Sequence, residues 1–180
     1  MAINLYKTWF RPSLMAFTAS APIPNNAVDG SWNISGTAGT DYIFITDDNR
    51  SDLQVSLDRI EYRKRMIDGT MRSYHVADKK LFSLSWADIP SSASYVSENR
   101  TTFAPGWAGG KEILNWYENN TDSFYVLLVY DTPNPEGTGD IPVKYRVETY
   151  NVFFESFTYN VKTRGAIYDL WDMSLSLAEV

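Results

Sequence analysis

Residues 53–80, LQVSLDRIEYRKRMIDGTMRSYHVADKK, constrain the fold of this chain more than any other stretch. Asp68-Gly69 divides them into two arms rich in strand formers. Glycine accepts a positive φ without a Cβ clash, and Asp-Gly between extended segments is a strong hairpin signal. The spacing therefore predicts two long strands folded back on a tight turn. On the outgoing arm Leu53, Val55 and Leu57 share one parity, whereas Ile60, Tyr62 and Met66 share the other. A slip of one residue turns every side chain over, so the switch near Asp58 predicts a bulge or a change of buried face. Charge is concentrated here too. Residues 59–80 hold seven Lys/Arg and three Asp/Glu, a net +4; the chain has 16 and 22, which leaves 9 and 19, or −10, elsewhere. A basic ribbon on an acidic body implies an acidic partner, and further copies of the same chain are the simplest one.

Along the chain, residues 3–10 are an edge-strand candidate, with Ile3, Leu5 and Trp9 apolar. Residues 1–40 read as an extended N-terminal segment and arm. The part from 19 to 40 is rich in Ala, Pro, Asn, Gly and Ser, with Val28, Trp32 and Ile34 as anchors. A short strand is expected at 41–46 and a polar turn at 47–52. Phe82, Leu84 and Trp86 alternate in a strand over 81–86. Residues 87–110 read as irregular, anchored by Trp107. The spacing of Ile113, Leu114, Trp116 and Tyr117 predicts one helix over 111–119, with Glu112 in the first turn and a stop at Asn119-Asn120. SFYVLLVY (123–130) reads as a strand buried on both faces. Residues 131–142 form a loop by composition. Residues 143–161 are too long for one flat strand and predict a bulge near Glu155, and 162–165 a turn. In 168–177, Trp171, Met173, Leu175 and Leu177 alternate with Asp172, Ser174 and Ser176, a period-two strand that places the C-terminus in the sheet. No internal repeat or linker divides the chain, so one domain over 1–180 is expected. The fold class is mainly β: a β-sandwich or partly closed barrel with one flanking α-helix and a long protruding hairpin.

Composition narrows the chemistry. The chain has 180 residues, enough for a sizeable core, and no cysteine, which excludes disulfides and cysteine-held metals. A single histidine, His75, excludes a histidine-rich metal site. No apolar run approaches the length of a transmembrane helix. The N-terminus resembles a signal peptide only loosely, because Pro12 and Ser13 break its apolar stretch. The sequons at Asn33, Asn99 and Asn119 are then coincidental. His75 lacks a visible catalytic partner, so a surface or interface histidine is the simpler reading. Glu61, Glu148 and Glu155 have cationic neighbours, and ion pairing outweighs a glycosidase-like acid/base pair. The oxygen-rich loops at 47–52 and 131–140 match no full calcium loop. Arg63, Lys64 and Arg65 are consecutive and point to both faces of a strand. With a net charge of −6, that argues against nucleic-acid affinity. Trp86, Trp116 and Trp171 fall on apolar phases and read as core. Trp32 and Trp107 lie in expected loops, which keeps a carbohydrate-binding module open. No cofactor, metal or small-molecule substrate is indicated.

Residues 59–80 with the following LFSLSWADIPS, YDLWDMSLSLAEV (168–180) and APGWAGGKEILNWYENN resemble structural tail proteins of tailed bacteriophages. The resemblance covers about half the chain and is closest to tail-tube-like proteins. It implies a β-sandwich or small barrel with a flanking helix and a hairpin reaching neighbouring subunits. It also implies stacking rings, hexameric in that family, around a DNA-conducting lumen. An acidic lumen would repel DNA phosphates during passage. Other tail or baseplate components of the same fold look alike at this level. The implied subunit interface comprises Arg63, Lys64, Arg65, Met66, Ile67, Met71, Arg72 and Tyr74, with Trp32 and Trp107. The partners would be the chain itself and other tail proteins, the location the virion after assembly in the host cytoplasm, and the role non-enzymatic. The competing reading is an ordinary hairpin whose edge charges block aggregation.

Overall fold

The computed structural model of the protein describes residues 2–3, 15–24, 32–33, 36–45, 50–92, 107–130, 146–166 and 168–180. In chain order the elements are β1 (Ala2–Ile3), β2 (Met15–Thr18), β3 (Ile23–Pro24), β4 (Trp32–Asn33), β5 (Tyr42–Ile45), β6 (Gln54–Arg65), β7 (Met71–Pro90) and β8 (Trp107–Ala108). They continue with α1 (Gly110–Asn119), β9 (Phe124–Tyr130), β10 (Arg146–Arg164) and β11 (Asp169–Glu179). Eight strands form one sheet in the order β6-β7-β11-β10-β9-β2-β5-β8, and β1, β4 and β3 form a small separate one. Neighbours in the large sheet are antiparallel except β8, which runs parallel to β5. The described residues therefore adopt the mainly-β class with one flanking helix and a protruding hairpin. The large sheet stays open. Its outermost strands, β6 and β8, do not pair with each other, and no barrel closes.

Two bulges let long strands keep their apolar side chains on one face. In β10, Phe154 pairs with Leu177 and Ser156 with Ser176, so Glu155 is the extra residue, at the position expected from the sequence. Phe154 and Phe157 consequently both join the core cluster. Where β7 meets β11, Met173 pairs with Trp86 and Trp171 with Ile89, so Asp172 faces two residues, Ala87 and Asp88. Asp88 takes φ 58°, a left-handed conformation that a short polar side chain tolerates. Its N–H donates to Asp172 Oδ1 at 3.0 Å. The inward phase thus passes from Trp86 to Ile89, and both are buried.

The sequence divides β7 differently. The return arm of the hairpin and the strand expected over 81–86 are one continuous strand of 20 residues. It extends through Pro90 into a stretch expected to be irregular. β10 likewise runs through Arg164, and the turn follows at Gly165, whose N–H donates to the Tyr168 carbonyl. Ladder pairing supplies the missing information in both cases, because β11 runs alongside each strand. Residues 4–10 of the edge strand expected at 3–10, the anchors Val28 and Ile34, residues 47–49 of the polar turn expected at 47–52 and the 131–142 loop lie outside the described residues.

α1 covers one face of the sheet. Glu112 Oε2 accepts the Gly109 N–H at 3.0 Å, and Asn120 Nδ2 donates to the Trp116 carbonyl at 2.9 Å, so both ends are capped. Ile113 and Trp116 are buried. Trp116 lies 6.4 Å from the Phe17 ring and 5.9 Å from that of Phe124. A Cβ on Gly110 would stand 2.8 Å from Cε3 of Trp171, so only glycine lets the helix start rest on that indole. The expected core tryptophans Trp86, Trp116 and Trp171 are all within 6% of full burial. Burying each such side chain contributes roughly 1.5–3 kcal/mol. The opposite face over β7, β11 and β10 is hydroxyl-rich. There Ser156 meets Ser176 at 2.8 Å and Thr158 meets Ser174 at 2.6 Å. β9 differs: Phe124, Val126 and Leu128 alternate with Leu127, and all four are buried, as a strand covered on both faces requires.

Candidate interaction surface on the protruding hairpin

β11 begins pairing with β7 at Ala178–Leu81 and leaves residues 71–80 with β6 as their one ladder partner among the described residues. The hairpin therefore leaves the sheet as a two-stranded ribbon. Ten residues of strand extend roughly 30 Å at about 3.3 Å per residue. Its root is tied down by two lysines. Lys80 Nζ donates to Tyr150 Oη, lies 3.8 Å from Glu148 Oε2, and sits 4.4 Å from the Tyr150 ring centroid. Lys79 Nζ donates to the Val180 carbonyl.

The turn has the geometry that Asp-Gly favours. Gly69 N–H donates to the Met66 carbonyl at 3.0 Å and Met66 N–H to the Thr70 carbonyl at 2.8 Å. Gly69 has φ 83°, as in a type I turn followed by a one-residue bulge. Asp68 Oδ1 accepts both the Thr70 N–H at 2.9 Å and its hydroxyl at 2.6 Å. These bonds favour the charged carboxylate and hold its pKa below the ordinary value. The bulge expected near Asp58 is present further along. Ile60 pairs with Ala77 and Glu61 with His75, so Val76 is the extra residue, carried by the return arm. No face of the outgoing arm is buried: Gln54–Arg65 is exposed throughout except for half-buried Glu61.

The register gives the ribbon two unlike faces. One carries Arg59, Glu61 and Arg63 opposite Asp78, His75 and Ser73. Here the charges answer one another. Arg59 Nε meets Asp78 Oδ1 at 2.9 Å, and His75 Nε2 meets the same oxygen at 3.1 Å. Glu61 accepts the Ser73 hydroxyl at 2.6 Å and pairs with Arg63. The Arg59 hydrogen bond lowers the Asp78 pKa and is itself the main cause of the raised Arg59 value. The Ser73 and Arg63 bonds lower that of Glu61. Arg65, nearer the tip and paired with Met71, has no carboxylate partner among the described residues.

The other face carries Ile60, Tyr62 and Lys64 opposite Ala77, Tyr74 and Arg72. Tyr62 and Tyr74 form a direct cross-strand pair, 61% and 57% exposed. Lys64 and Arg72 also oppose each other directly, and neither has an ion-pair partner among the described residues. Like charges directly across a ladder destabilise it. Among the described residues, nine of the fourteen large apolar side chains that are exposed belong to the hairpin, among them Leu57, Val76 and the tip residue Ile67. Scattered exposed apolar residues are ordinary on a monomer; a concentration of them on one projecting element marks an interaction site.

The residues singled out from sequence, Arg63, Lys64, Arg65, Met66, Ile67, Met71, Arg72 and Tyr74, are all exposed on this ribbon. They do not form one surface, because Arg63, Arg65 and Met71 share a face that excludes Lys64, Arg72 and Tyr74. Ile60 and Tyr62 escaped sequence reasoning, which took their shared parity as a buried phase. The shared parity of Lys64 with Ile60 and Tyr62 was the available signal. Trp32 and Trp107 lie in short strands where loops were expected, Trp32 paired with Ile3 and Pro24 and Trp107 with Phe44. Their side chains lie outside the described residues. His75 is half exposed on the compensated face. A cleft of about 500 Å³ at the far end of β7 is lined by Arg50, Ser51, Ser85, Trp86, Ala87 and Asp88. No helix among the described residues is long and apolar enough to cross a membrane. No family model matches the chain, and no curated protein matches it significantly.

Proposed function

We propose that the protein is a structural subunit of a bacteriophage tail, and specifically a tail tube subunit that stacks in rings around a DNA-conducting channel. The observation that carries the reading is the projecting ribbon, with large apolar side chains on both faces and no element among the described residues covering them. A free two-stranded ribbon is marginal in water, and burying it against another molecule stabilises it. The +4 ribbon and the −10 remainder supply a partner of opposite charge in every further copy. The role is mechanical, with no reaction catalysed; the partners are the chain itself, in a ring expected to be hexameric, and adjoining tail proteins. DNA would pass through the lumen without specific binding, and the protein would reside in the virion.

Negative-stain electron microscopy over a concentration series of the purified protein tests this. Rings or tubes with a central channel are expected. A protein that stays monomeric throughout sinks the ring-forming reading and favours a minor tail or baseplate component of the same fold.

A further inference from the structure

The two faces of the ribbon differ in what they leave unanswered, and that difference identifies the docking face. On the Arg59–Glu61–Arg63 face Arg59 and Arg63 have carboxylates of their own chain, and Arg65, next to the turn, is the one cation without such a partner among the described residues. On the Tyr62–Tyr74 face an aromatic pair adjoins two directly opposed cations that have none. Opposed like charges are tolerated at the end of a ribbon when an external anion lies against them.

Elsewhere on the same chain lies a surface of the complementary kind. β9 pairs with β10 only as far as Val152, so from Phe153 onward that edge of β10 has no strand beside it among the described residues. Along it runs a ladder of aromatic rings. Tyr117 of α1 stacks on Phe157 at 4.8 Å, and Tyr159 follows at 6.2 Å. Tyr117 is 39% exposed and Tyr159 48%. Glu118 and Asp122, at and just beyond the end of α1, and Glu155 in the β10 bulge are exposed and have no ion pair among the described residues. Aromatic faces beside carboxylates receive both the tyrosines and the cations of the ribbon, the latter partly by cation–π attraction.

We infer that the Tyr62–Tyr74 face of the hairpin, with Lys64 and Arg72, docks on the Tyr117–Phe157–Tyr159 strip of a second copy, where Glu118, Asp122 and Glu155 meet the two cations. This rests on the assembly reading and names the partner surface within it. Donor and acceptor are different patches of one chain, so the contact is head-to-tail and propagates into a ring or an open filament. The compensated face stays toward solvent.

Sedimentation velocity across a concentration series tests the contact with three variants. K64E/R72E replaces one like-charge pair by another, so the repulsion across the ladder is kept, and far-ultraviolet circular dichroism is expected to match the wild type. Its association constant falls at least about 100-fold. Adding E118K/D122K to that chain restores association to within about tenfold of wild type. Arg59→Gln, on the other face, leaves it unchanged. Assembly that is indifferent to K64E/R72E, that is lost equally in Arg59→Gln, or that E118K/D122K fails to restore overturns this contact and leaves the assembly reading standing. A wild type that never assembles overturns both.

Discussion

β7 has two halves that differ in one respect, a third strand. Residues 81–90 lie between β6 or the chain before it and β11, and Phe82, Leu84, Trp86 and Ile89 are buried to 2% exposure or less, in one core cluster with Ile113 and Trp116 of α1. Residues 71–80 have β6 alone, and Met71, Tyr74 and Val76 are more than half exposed. Both halves are extended and share the backbone ladder of one hairpin. Strand formation therefore does not distinguish them; burial does, and burial requires a covering layer that, among the described residues, only the proximal half has. The comparison teaches that the distal half, exposed on both faces, contributes little to the stability of the monomer.

The largest expected difference comes from truncating one side chain in each half. Phe82→Ala should cost about 3–5 kcal/mol in urea denaturation. Tyr74→Ala should stay within about 0.5 kcal/mol. Equal costs would mean that the distal half is packed, and the division would be lost. Gly110→Val probes the layer that makes the proximal half a core. Its side chain would press on the Trp171 ring, and overpacking of this kind costs about 1–3 kcal/mol. A neutral result would show that α1 can shift off the sheet.

Gly69→Ala sharpens the contrast from the other end. An alanine held at φ 83° costs about 1–2 kcal/mol, but the strain falls on a turn outside the core. Faster amide exchange at residues 66–70 is expected, with the global unfolding midpoint unchanged; a shift of that midpoint would couple the tip to the core. The smallest effect is with pH. Asp68, Glu61 and Asp78 have pKa values lowered in the fold. Their stabilisation is complete above the ordinary carboxylate range, near pH 4, and is lost as pH falls through the lower folded values. Hairpin amides should lose exchange protection on acidification through that window, and a rise in protection would contradict the assigned ion pairs. His75→Ala, on the same face, should leave stability within about 0.5 kcal/mol.

Much of this was legible in the residues themselves. Asp68-Gly69 specified the turn because a positive φ is a local property. The alternation of Trp171, Met173, Leu175 and Leu177 specified a half-buried strand, and the spacing of Ile113 and Trp116 specified the helix face, because both periods are properties of the backbone. The length of residues 143–161 indicated the bulge at Glu155. The parity of Ile60 and Tyr62 misled, since an apolar phase states which residues share a face and says nothing about whether a layer covers it. That is decided by where β11 stops, at Glu179, and by how far α1 reaches, both of which depend on contacts distant in sequence. The continuity of β7 through Leu81, the division of Arg63, Lys64 and Arg65 between a compensated and an uncompensated face, and the register that sets Lys64 against Arg72 arise the same way. The sequence by itself determined the turn, the periods and the charge imbalance. The pairing of strands in three dimensions decided which of those side chains are core and which stay exposed.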